Sequence, residues 1–332
     1  MEATPLLAAE RIDKRFERRL DFAGRLAARL GAALGNETVH ALDGVSLAVM
    51  RGEVLGVVGE SGCGKSTLGR ILAGIMPASG GRILWQGADR DRLTGTERRS
   101  VKLAVQMVFQ DPASSLNPRM RVADIIGEAP LVHGQVTRAE LGDYIDTILR
   151  DVGLDPAMKQ RYPHQFSGGQ RQRIGIARAL AVRPQCIIAD EAVAALDVSI
   201  RAQIINLFDE LRQKRDLTYL FISHDLGIVR FIADRVVVMY LGRVVESAPT
   251  SALFAAPNHP YTIALLAGAP RLEDRKRAFA AIEGEIPSPL NPPRGCHFHP
   301  RCPHVMARCR EEAPRLSEIA PGRLSACHLN QA

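Results

Sequence analysis

A glycine-rich stretch near the start of the chain carries the residue types needed to bind phosphate. It follows the apolar run Val54 to Val58 and fits the pattern G-x-x-x-x-G-K-[ST] at every fixed position. A polyanion needs inward-pointing backbone N–H groups, which glycines permit, and it gains from the positive end of the following helix. The residues of this predicted phosphate site are Gly59, Ser61, Gly62, Cys63, Gly64, Lys65, Ser66 and Thr67.

Three of these residues have predicted roles beyond shaping the loop. Lys65 can reach the β- and γ-phosphates, Ser66 offers a hydroxyl to Mg²⁺, and Thr67 would help hold the phosphates from the first helical turn. The alternative is a glycine-rich turn that binds nothing. The apolar run before the loop and the amphipathic run after it favour the phosphate site.

Polar groups also end two later apolar runs. Asp190 and Glu191 follow Cys186 to Ala189, and His224 closely follows Thr218 to Ile222. We expect Asp190 to hold the Mg²⁺ shell, directly or through water, and Glu191 to polarise the attacking water. Parallel strands present their ligand-binding ends on one edge, so His224 is expected to contact the γ-phosphate.

A second candidate anion site lies at Ser167-Gly168-Gly169-Gln170. A serine at a helix N-cap followed by two glycines presents a hydroxyl and bare N–H donors. Taken alone, the stretch could be an ordinary helix cap. One chain has no need of a second phosphate cradle unless two such sites face each other across a dimer.

Three runs near the N-terminal end predict strands beside the nucleotide site. These are Leu6 to Phe16, His40 to Val49 and Gly81 to Gly87, which together suggest an antiparallel sheet. Phe16 is either a platform for stacking adenine or an aromatic filling a β core. Another strand is predicted at Val105 to Phe109.

Residues 112–183 are predicted to form a mostly helical insertion in the nucleotide-binding sheet. A capping box at Thr137 to Glu140 precedes a run of apolar residues with helical spacing. Its apolar face contains Leu141, Tyr144, Ile145, Ile148, Leu149 and Val152. Farther on, a hairpin of Arg235 to Tyr240 and Arg243 to Glu246 is expected to close the core.

Composition limits the class of protein. With 332 residues, a net charge of +7 and no run near the ~20 apolar residues that span a bilayer, the chain is predicted to be made and kept in the cytosol. The arginines are scattered and not interleaved with aromatics, which argues against a nucleic-acid surface. Basic residues between 11 and 34 predict either an amphipathic helix near a lipid or partner surface, or a solvated helical insertion.

Four of the six cysteines crowd the last part of the chain. They are Cys296, Cys302, Cys309 and Cys327. In a cytosolic protein such a cluster indicates a metal site rather than a disulfide framework. The proline-rich stretch Pro287 to Pro293 is expected to lead the chain from the core into this region.

The order of these motifs resembles that of the ATP-binding subunit of ABC transporters over nearly the whole chain. The resemblance implies an α/β fold: a P-loop NTPase (RecA-like) core with an antiparallel β subdomain, an inserted α-helical subdomain and a small C-terminal cysteine-containing extension. Residues 1–256 would form the ABC ATPase domain, with its helical subdomain at 112–183. Residues 257–332 would form the extension.

The resemblance also implies roles for individual residues. Gln110 corresponds to the loop glutamine that senses Mg²⁺ and the transmembrane partner, and His224 to the switch histidine. With Glu191, these are the expected catalytic residues. The stretch from Ser167 to Gln170 corresponds to the signature that binds the other subunit's ATP, and Asp197 to the loop linking the two active sites.

Two positions depart from the family's usual Asp-Glu-Pro-Val-Ser. Ala192 replaces the proline and Ala194 replaces the serine. The lost hydroxyl removes one possible hydrogen bond across the dimer, so we expect softer coupling between the sites while hydrolysis survives.

A finer resemblance is to the oligopeptide and dipeptide importer branch. Its marks are Phe109 to Pro112, Ser115 to Arg119, Tyr162 to Gln165 and Asn258 to Thr262. Some members of that branch bind a [4Fe-4S] cluster through four cysteines in the extension. Structural zinc or free thiols are the alternatives. The histidines that could replace cysteine as zinc ligands are His297, His299, His304 and His328.

The resemblance therefore implies an ATPase at the cytoplasmic face of a bacterial inner membrane that powers import of peptides. Its expected cofactors are ATP, Mg²⁺ and a [4Fe-4S] cluster. Its expected partners are a second homologous ATPase, two transmembrane permease subunits and an extracytoplasmic peptide-binding protein, with no nucleic acid. The alternatives are import of a glutathione-like tripeptide, nickel chelate or opine, a soluble ABC protein of translation or DNA repair, or an iron-sulfur sensing module.

Overall fold

A computed structural model describes residues 4–18, 37–268 and 284–331, and two β-sheets organise them. Within those residues the larger sheet has eight strands in the spatial order β11-β12-β10-β9-β3-β8-β7-β6. The strands of this sheet are β3 (Val54–Val58), β6 (Val105–Val108), β7 (Cys186–Asp190), β8 (Thr218–Ile222), β9 (Arg235–Tyr240), β10 (Arg243–Pro249), β11 (Ser317–Ala320) and β12 (Arg323–Ser325).

Five neighbouring strands of this sheet, from β9 to β6, run parallel. Every residue of β3, β7 and β8 is buried. Their sequences are nearly continuous apolar runs because helices cover a parallel sheet on both faces. Parallel strands need crossover connections, and helices supply them here. The carboxyl ends of β3, β7 and β8 consequently share one edge of the sheet.

Helices cover the sheet, and several of them lie between β6 and β7 along the chain. They are α1 (Lys65–Leu72), α2 (Gly95–Ala104), α3 (Pro112–Ser115), α4 (Val122–Val132), α5 (Leu141–Asp151), α6 (Gly168–Leu180), α7 (Val198–Arg215), α8 (Leu226–Ile232), α9 (Thr250–Ala255), α10 (Pro260–Ala267) and α11 (Ala307–Glu311). Among the described residues, no helix combines the length and the apolar character needed to span a bilayer.

The smaller sheet is antiparallel, as predicted. Its strands are β1 (Leu7–Arg18), β2 (Glu37–Val49), β4 (Gly80–Trp85) and β5 (Ala88–Asp89), in the order β2-β1-β4-β5. The expectation of a helix beginning at residue 11 was wrong, because Arg11, Lys14 and Arg15 lie in β1. Cross-strand pairing with β2 and β4 outweighs the helical spacing of the basic residues there. Residues 19–34 of that segment lie outside the described residues.

Helix α5 is stabilised by side-chain contacts just before its first turn and by burial of its apolar face. Thr137 and Glu140 make the predicted reciprocal contacts, with Glu140 Oε2 accepting from the Thr137 N–H at 3.0 Å and the Glu140 N–H reaching Thr137 Oγ1 at 3.4 Å. The apolar face of the helix buries Ile145, Ile148 and Leu149. These side chains join the core cluster that also contains residues of α4 and α6.

The last part of the chain is joined to the main sheet. Strand β12 pairs antiparallel with β10, so that Glu246 lies opposite Ser325. The predicted hairpin of β9 and β10 is confirmed, and its turn uses two positive φ angles, 40° at Leu241 and 76° at Gly242. The hairpin thus connects the nucleotide core on one side with β11 and β12 on the other.

Candidate nucleotide-binding site

The predicted phosphate loop connects β3 to α1, and its backbone requires glycine. Gly59 has a φ of 153° and Gly64 a φ of 104°. A Cβ atom would lie 2.2 Å from the Met239 carbonyl oxygen at Gly59, and 2.4 Å from the Ala41 carbonyl oxygen at Gly64. Both contacts are with backbone, which cannot swing away. The loop is therefore fitted between the β9–β10 hairpin and β2.

Lys65 is held at the centre of the loop. It is only 4% exposed, and its Nζ donates to the carbonyl oxygens of Gly59 at 2.8 Å and Glu60 at 3.0 Å. Buried ammonium groups need such acceptors, because desolvation without them is costly. Cys63 is also buried, and burial raises the pKa of its thiol. Ser61 and Gly62 are exposed, while Ser66 and Thr67 are partly exposed at the start of α1.

The expected magnesium ligands Ser66 and Asp190 are in contact. Ser66 Oγ donates to Asp190 Oδ1 at 2.8 Å. Burial raises the pKa of the Asp190 carboxyl, and the hydrogen bond from Ser66 opposes this rise. A hydroxyl and a carboxylate in contact are oxygen donors of the kind that Mg²⁺ binds, usually together with water and substrate phosphates. The donor set therefore fits the cation.

Glu191 and His224 meet at the same edge. His224 Nδ1 lies 3.3 Å from Glu191 Oε1, and the glutamate side chain is 15% exposed while the histidine is 53% exposed. Glu191 adopts a φ of 48°, and its N–H donates to the Ile222 carbonyl oxygen at 3.0 Å. A non-glycine residue in this left-handed region is strained, and such strain is concentrated at functional sites. The structure thus pairs the expected base with the expected switch histidine.

Gln110 comes two residues after β6. Strand β6 runs parallel to β7, with Val108 opposite Ala189. Gln110 therefore lies at the edge of the sheet where β7 ends with Asp190. Its side chain is exposed. The buried Gln172 of α6 donates to the Phe109 carbonyl oxygen at 3.5 Å, which ties this loop to the helical region.

The predicted signature caps α6. Ser167 Oγ accepts from the Gln170 N–H at 3.4 Å, and Gln170 Oε1 accepts from the Ser167 N–H at 3.0 Å. Ser167 and Gly168 are exposed. Gly169 packs closely on helix α7, since a Cβ atom on it would lie 2.5 Å from Cγ2 of Ile200 in that helix. Asp197 is the exposed N-cap residue of α7. The structure therefore joins the two motifs predicted to act across a dimer.

Phe16 is not a core residue. It lies in β1 with 39% of its surface exposed, and the ammonium of Lys14 lies 5.0 Å from the ring centroid. This exposure excludes the β-core interpretation, and the ring is accessible for stacking on a base apart from the contact with Lys14.

Sequence reasoning missed contacts to the loop from the C-terminal part of the chain. Tyr261 Oη accepts from the Glu60 N–H at 2.9 Å, and Arg301 forms an ion pair with the Glu60 carboxylate. Residues 286–289 line a cavity together with Glu60, Ser61, Gly62 and Cys63. These contacting residues are 200 or more positions from the loop in the sequence, so no local sequence pattern predicts the contacts.

The four C-terminal cysteines line one small cavity. All are free thiols, and burial raises the pKa of Cys296 to about 11. His299, His304 and His328 line the same cavity, whereas His297 instead contacts the Leu241 carbonyl oxygen at 3.1 Å. Across residues 4–18, 37–268 and 284–331, no group of three His, Cys, Asp or Glu side chains is arranged to hold a metal ion. The donor types suit a cluster, but this arrangement does not form a metal site.

Comparison with known families supports the interpretation of both parts of the chain. Residues 42–194 match the family model described as ABC transporter. Residues 245–309 match the model described as oligopeptide/dipeptide transporter, C-terminal region.

Similar proteins carry related names. The oligopeptide transport ATP-binding protein AppF of Bacillus subtilis is 52% identical over 295 residues, covering 88% of this chain and 90% of that protein. A Brucella ovis protein with a provisional name as a peptide import ATP-binding protein is 44% identical over 328 residues, covering 98% of each chain.

Solved structures show the same architecture. The protein cbiO1 of Clostridium perfringens, part of the ABC transporter complex cbiONQ, is 28% identical with a TM-score of 0.62, covering 76% of this chain and 92% of that one. A dimeric ATP-binding cassette bound to ADP and Pi is 26% identical with a TM-score of 0.61, covering 74% of this chain and 98% of that one. The chain therefore belongs to the ABC transporter family, as an ATPase subunit of the oligopeptide and dipeptide branch.

Proposed function

We propose that the chain binds MgATP and hydrolyses it to power import of peptides across a bacterial inner membrane, from the cytoplasmic face. The observation that carries the ATPase part is the convergence of Ser66, Asp190, Glu191 and His224 on one edge of the sheet beside the phosphate loop. The peptide part rests on the relatives that are named as peptide transport proteins and on the match of residues 245–309 to the oligopeptide/dipeptide transporter family.

Each residue at this edge has a proposed role. The loop amides and Lys65 bind the β- and γ-phosphates. Ser66, Asp190 and Gln110 would hold Mg²⁺, which would neutralise phosphate charge when bound. Glu191 Oε accepts a proton from the attacking water as the water oxygen bonds to the γ-phosphorus, while the bond from that phosphorus to the β–γ bridging oxygen breaks and ADP leaves. His224, 3.3 Å from that carboxylate, orients it and contacts the γ-phosphate. Phe16 stacks on the adenine.

A second, homologous ATPase subunit completes each site in this proposal. Ser167, Gly168, Gly169 and Gln170 would bind the partner's ATP, and Asp197 would link the two sites. Support comes from the exposure of Ser167, Gly168 and Asp197, and from the packing of Gly169 on Ile200 of α7. The further proposed partners are two permease subunits and an extracytoplasmic peptide-binding protein.

We divide the chain for function into an ABC ATPase domain at residues 1–256 and an extension at 257–332. Residues 112–183 would act as the helical subdomain. Helices α3 to α6 lie in that span, which supports the division.

Peptide uptake tests the transport function. A bacterial strain lacking the gene should lose uptake of labelled oligopeptides, and regain it with the wild-type chain but not with Lys65→Ala. Competition with a glutathione-like tripeptide, a nickel chelate or an opine would identify those substrates instead. Wild-type protein found with ribosomes or DNA, and not with membranes, would contradict the transport proposal.

We further propose that the four-cysteine cavity takes a [4Fe-4S] cluster, with local rearrangement of Cys296, Cys302, Cys309 and Cys327. The shared cavity and the four-thiol donor set support this proposal. Protein purified without oxygen should contain about four iron and about four sulfide ions per chain, the composition of a [4Fe-4S] cluster. It should also absorb broadly in the visible range. One zinc per chain, or no metal, would overturn this proposal.

A further inference from the structure

An arginine of the C-terminal extension reaches the phosphate loop. Arg301 ends a short 3₁₀ turn, His299–Arg301, and its guanidinium contacts the Glu60 carboxylate with two nitrogens. Nη1 lies 2.8 Å from Oε2 and Nη2 lies 3.2 Å from Oε1. Two-pronged pairing of this kind fixes both distance and orientation.

This ion pair is sheltered from water. The Arg301 side chain is 4% exposed and that of Glu60 is 21% exposed. Tyr240 Oη lies 3.4 Å from Arg301 Nη1, and Tyr240 packs against Tyr261 and Phe298 with ring centroids 4.7 and 5.3 Å away. Removing one member of such a pair leaves the other charge partly buried and uncompensated.

Glu60 is itself a residue of the phosphate loop. Its backbone carbonyl oxygen accepts from Lys65 Nζ at 3.0 Å, and its N–H donates to Tyr261 Oη at 2.9 Å. The backbone that holds Lys65 is therefore fixed from outside the nucleotide core. The carboxylate also puts a negative charge into a loop built to bind a triphosphate, which disfavours binding unless a cation offsets it.

We propose that Arg301 is a positioning residue for the phosphate loop, which neutralises and orients the Glu60 carboxylate while Tyr261 holds the Glu60 backbone, and that the extension thereby sets the affinity of the same chain for MgATP. This role deepens the proposed ATPase function and rests on it. In this proposal Arg301 acts indirectly and is not itself a ligand of the nucleotide. It acts through Glu60 on Lys65.

The test is a double-mutant cycle read out as the Kd for MgATP of the purified full-length chain. Arg301→Gln should raise Kd roughly tenfold, a coupling of the size found for residues in one charge network. Arg301→Gln combined with Glu60→Gln should restore Kd to within about threefold of wild type, because no unpaired carboxylate remains. An arginine that only supports folding of the extension would weaken binding equally whichever residue stands at position 60.

Two further variants make the test sharper. Arg301→Lys keeps the charge but not the two-pronged contact, so its Kd should lie between those of wild type and Arg301→Gln, and it tests the idea even if the glutamine variant does not fold. Arg308→Gln breaks the exposed Arg308–Glu312 pair of the same extension, and should change Kd by less than about twofold.

Several outcomes would overturn the inference. Arg301→Gln or Arg301→Lys with a wild-type Kd would do so, as would a double variant that binds as weakly as Arg301→Gln alone. Lys65→Ala serves to separate this failure from that of the proposed function. If Lys65→Ala binds MgATP as wild type does, the nucleotide site itself is wrong, whatever Arg301 does.

Discussion

Two regions of the chain gather side chains that could bind a metal, and they differ in how far the fold prepares them. At the nucleotide edge, Ser66 and Asp190 are already hydrogen-bonded at 2.8 Å, and Glu191 and His224 are paired at 3.3 Å. In the extension, four thiols line one cavity, but the described side chains there do not form a metal site.

The difference follows from the elements that carry the two groups. Strands β3, β7 and β8 are hydrogen-bonded in register, so residues just beyond their ends meet at a fixed spacing. Cys309 lies in the short helix α11, and the other three cysteines lie outside helices and strands, so no ladder of hydrogen bonds sets the distance from one thiol to another. A regular sheet can prepare a site through its own hydrogen bonds, whereas a loop-rich extension depends more on what it binds.

The largest expected effect concerns the prepared edge. Glu191→Gln keeps the shape of the side chain but cannot accept the proton, so ATP turnover should fall roughly 10²- to 10⁴-fold. MgATP binding should be retained. Phosphate release and nucleotide binding measured on the same preparation check both points. Glu97→Gln, in the exposed first turn of α2, serves as the control, and equal losses in both variants would refute the role of Glu191.

A substitution in the loop tests whether its backbone geometry matters as much as its chemistry. Gly64→Ala would place a Cβ 2.4 Å from the Ala41 carbonyl oxygen at a φ of 104°. We expect loss of MgATP binding and a lower free energy of unfolding by roughly 1–3 kcal/mol. Gly142→Ala in α5 meets no atom within 4 Å and should leave binding unchanged. Similar behaviour of the two variants in calorimetry would contradict the fit of the loop.

Thiol chemistry compares the two regions directly. Cys186 is buried in β7, where burial raises the pKa of its thiol to about 12, so it should stay protonated and resist alkylation at pH 8. Cys302 and Cys327 are partly exposed and should react first. Because burial also raises the pKa of both thiols, their thiolate fraction should still increase above pH 9.

Mass spectrometry after timed alkylation would measure these rates. Protection of Cys302 and Cys327 that disappears on iron chelation would show that a cluster fills the cavity. Faster reaction of Cys186 than of Cys302 would contradict the burial described for β7.

The smallest expected effect concerns Ala194, three positions after Glu191. Ala194 is partly buried, and its N–H donates to the Glu191 carbonyl oxygen at 3.0 Å. Ala194→Ser would restore the hydroxyl that the family usually has there. One neutral hydrogen bond is worth about 0.5–1.5 kcal/mol, so the Hill coefficient for ATP should rise and turnover change by less than about tenfold. No change in cooperativity would exclude a role for this hydroxyl.

The sequence was a good guide where function depends on local spacing. The loop from Gly59 to Thr67 and the cap at Ser167 are each defined by a few adjacent residues, so their patterns predicted their structures. The strand ends at Asp190 and His224 were predictable because buried parallel strands read as apolar runs. From residue 11 onward the sequence offered two overlapping predictions, a strand to Phe16 and a basic helix, and pairing of β1 with two neighbours decided for the strand.

What the sequence determined by itself is the chemistry of the nucleotide edge, because the glycine, lysine, hydroxyl and carboxylate residues lie in stretches that each directly follow an apolar run that predicts a buried strand. Only the tertiary structure decided that Glu191 faces His224, that Phe16 is exposed, and that the extension touches the phosphate loop. The contact between Glu60 and Arg301 joins residues 241 positions apart. Such pairing is set by how whole elements pack, and no local pattern encodes it.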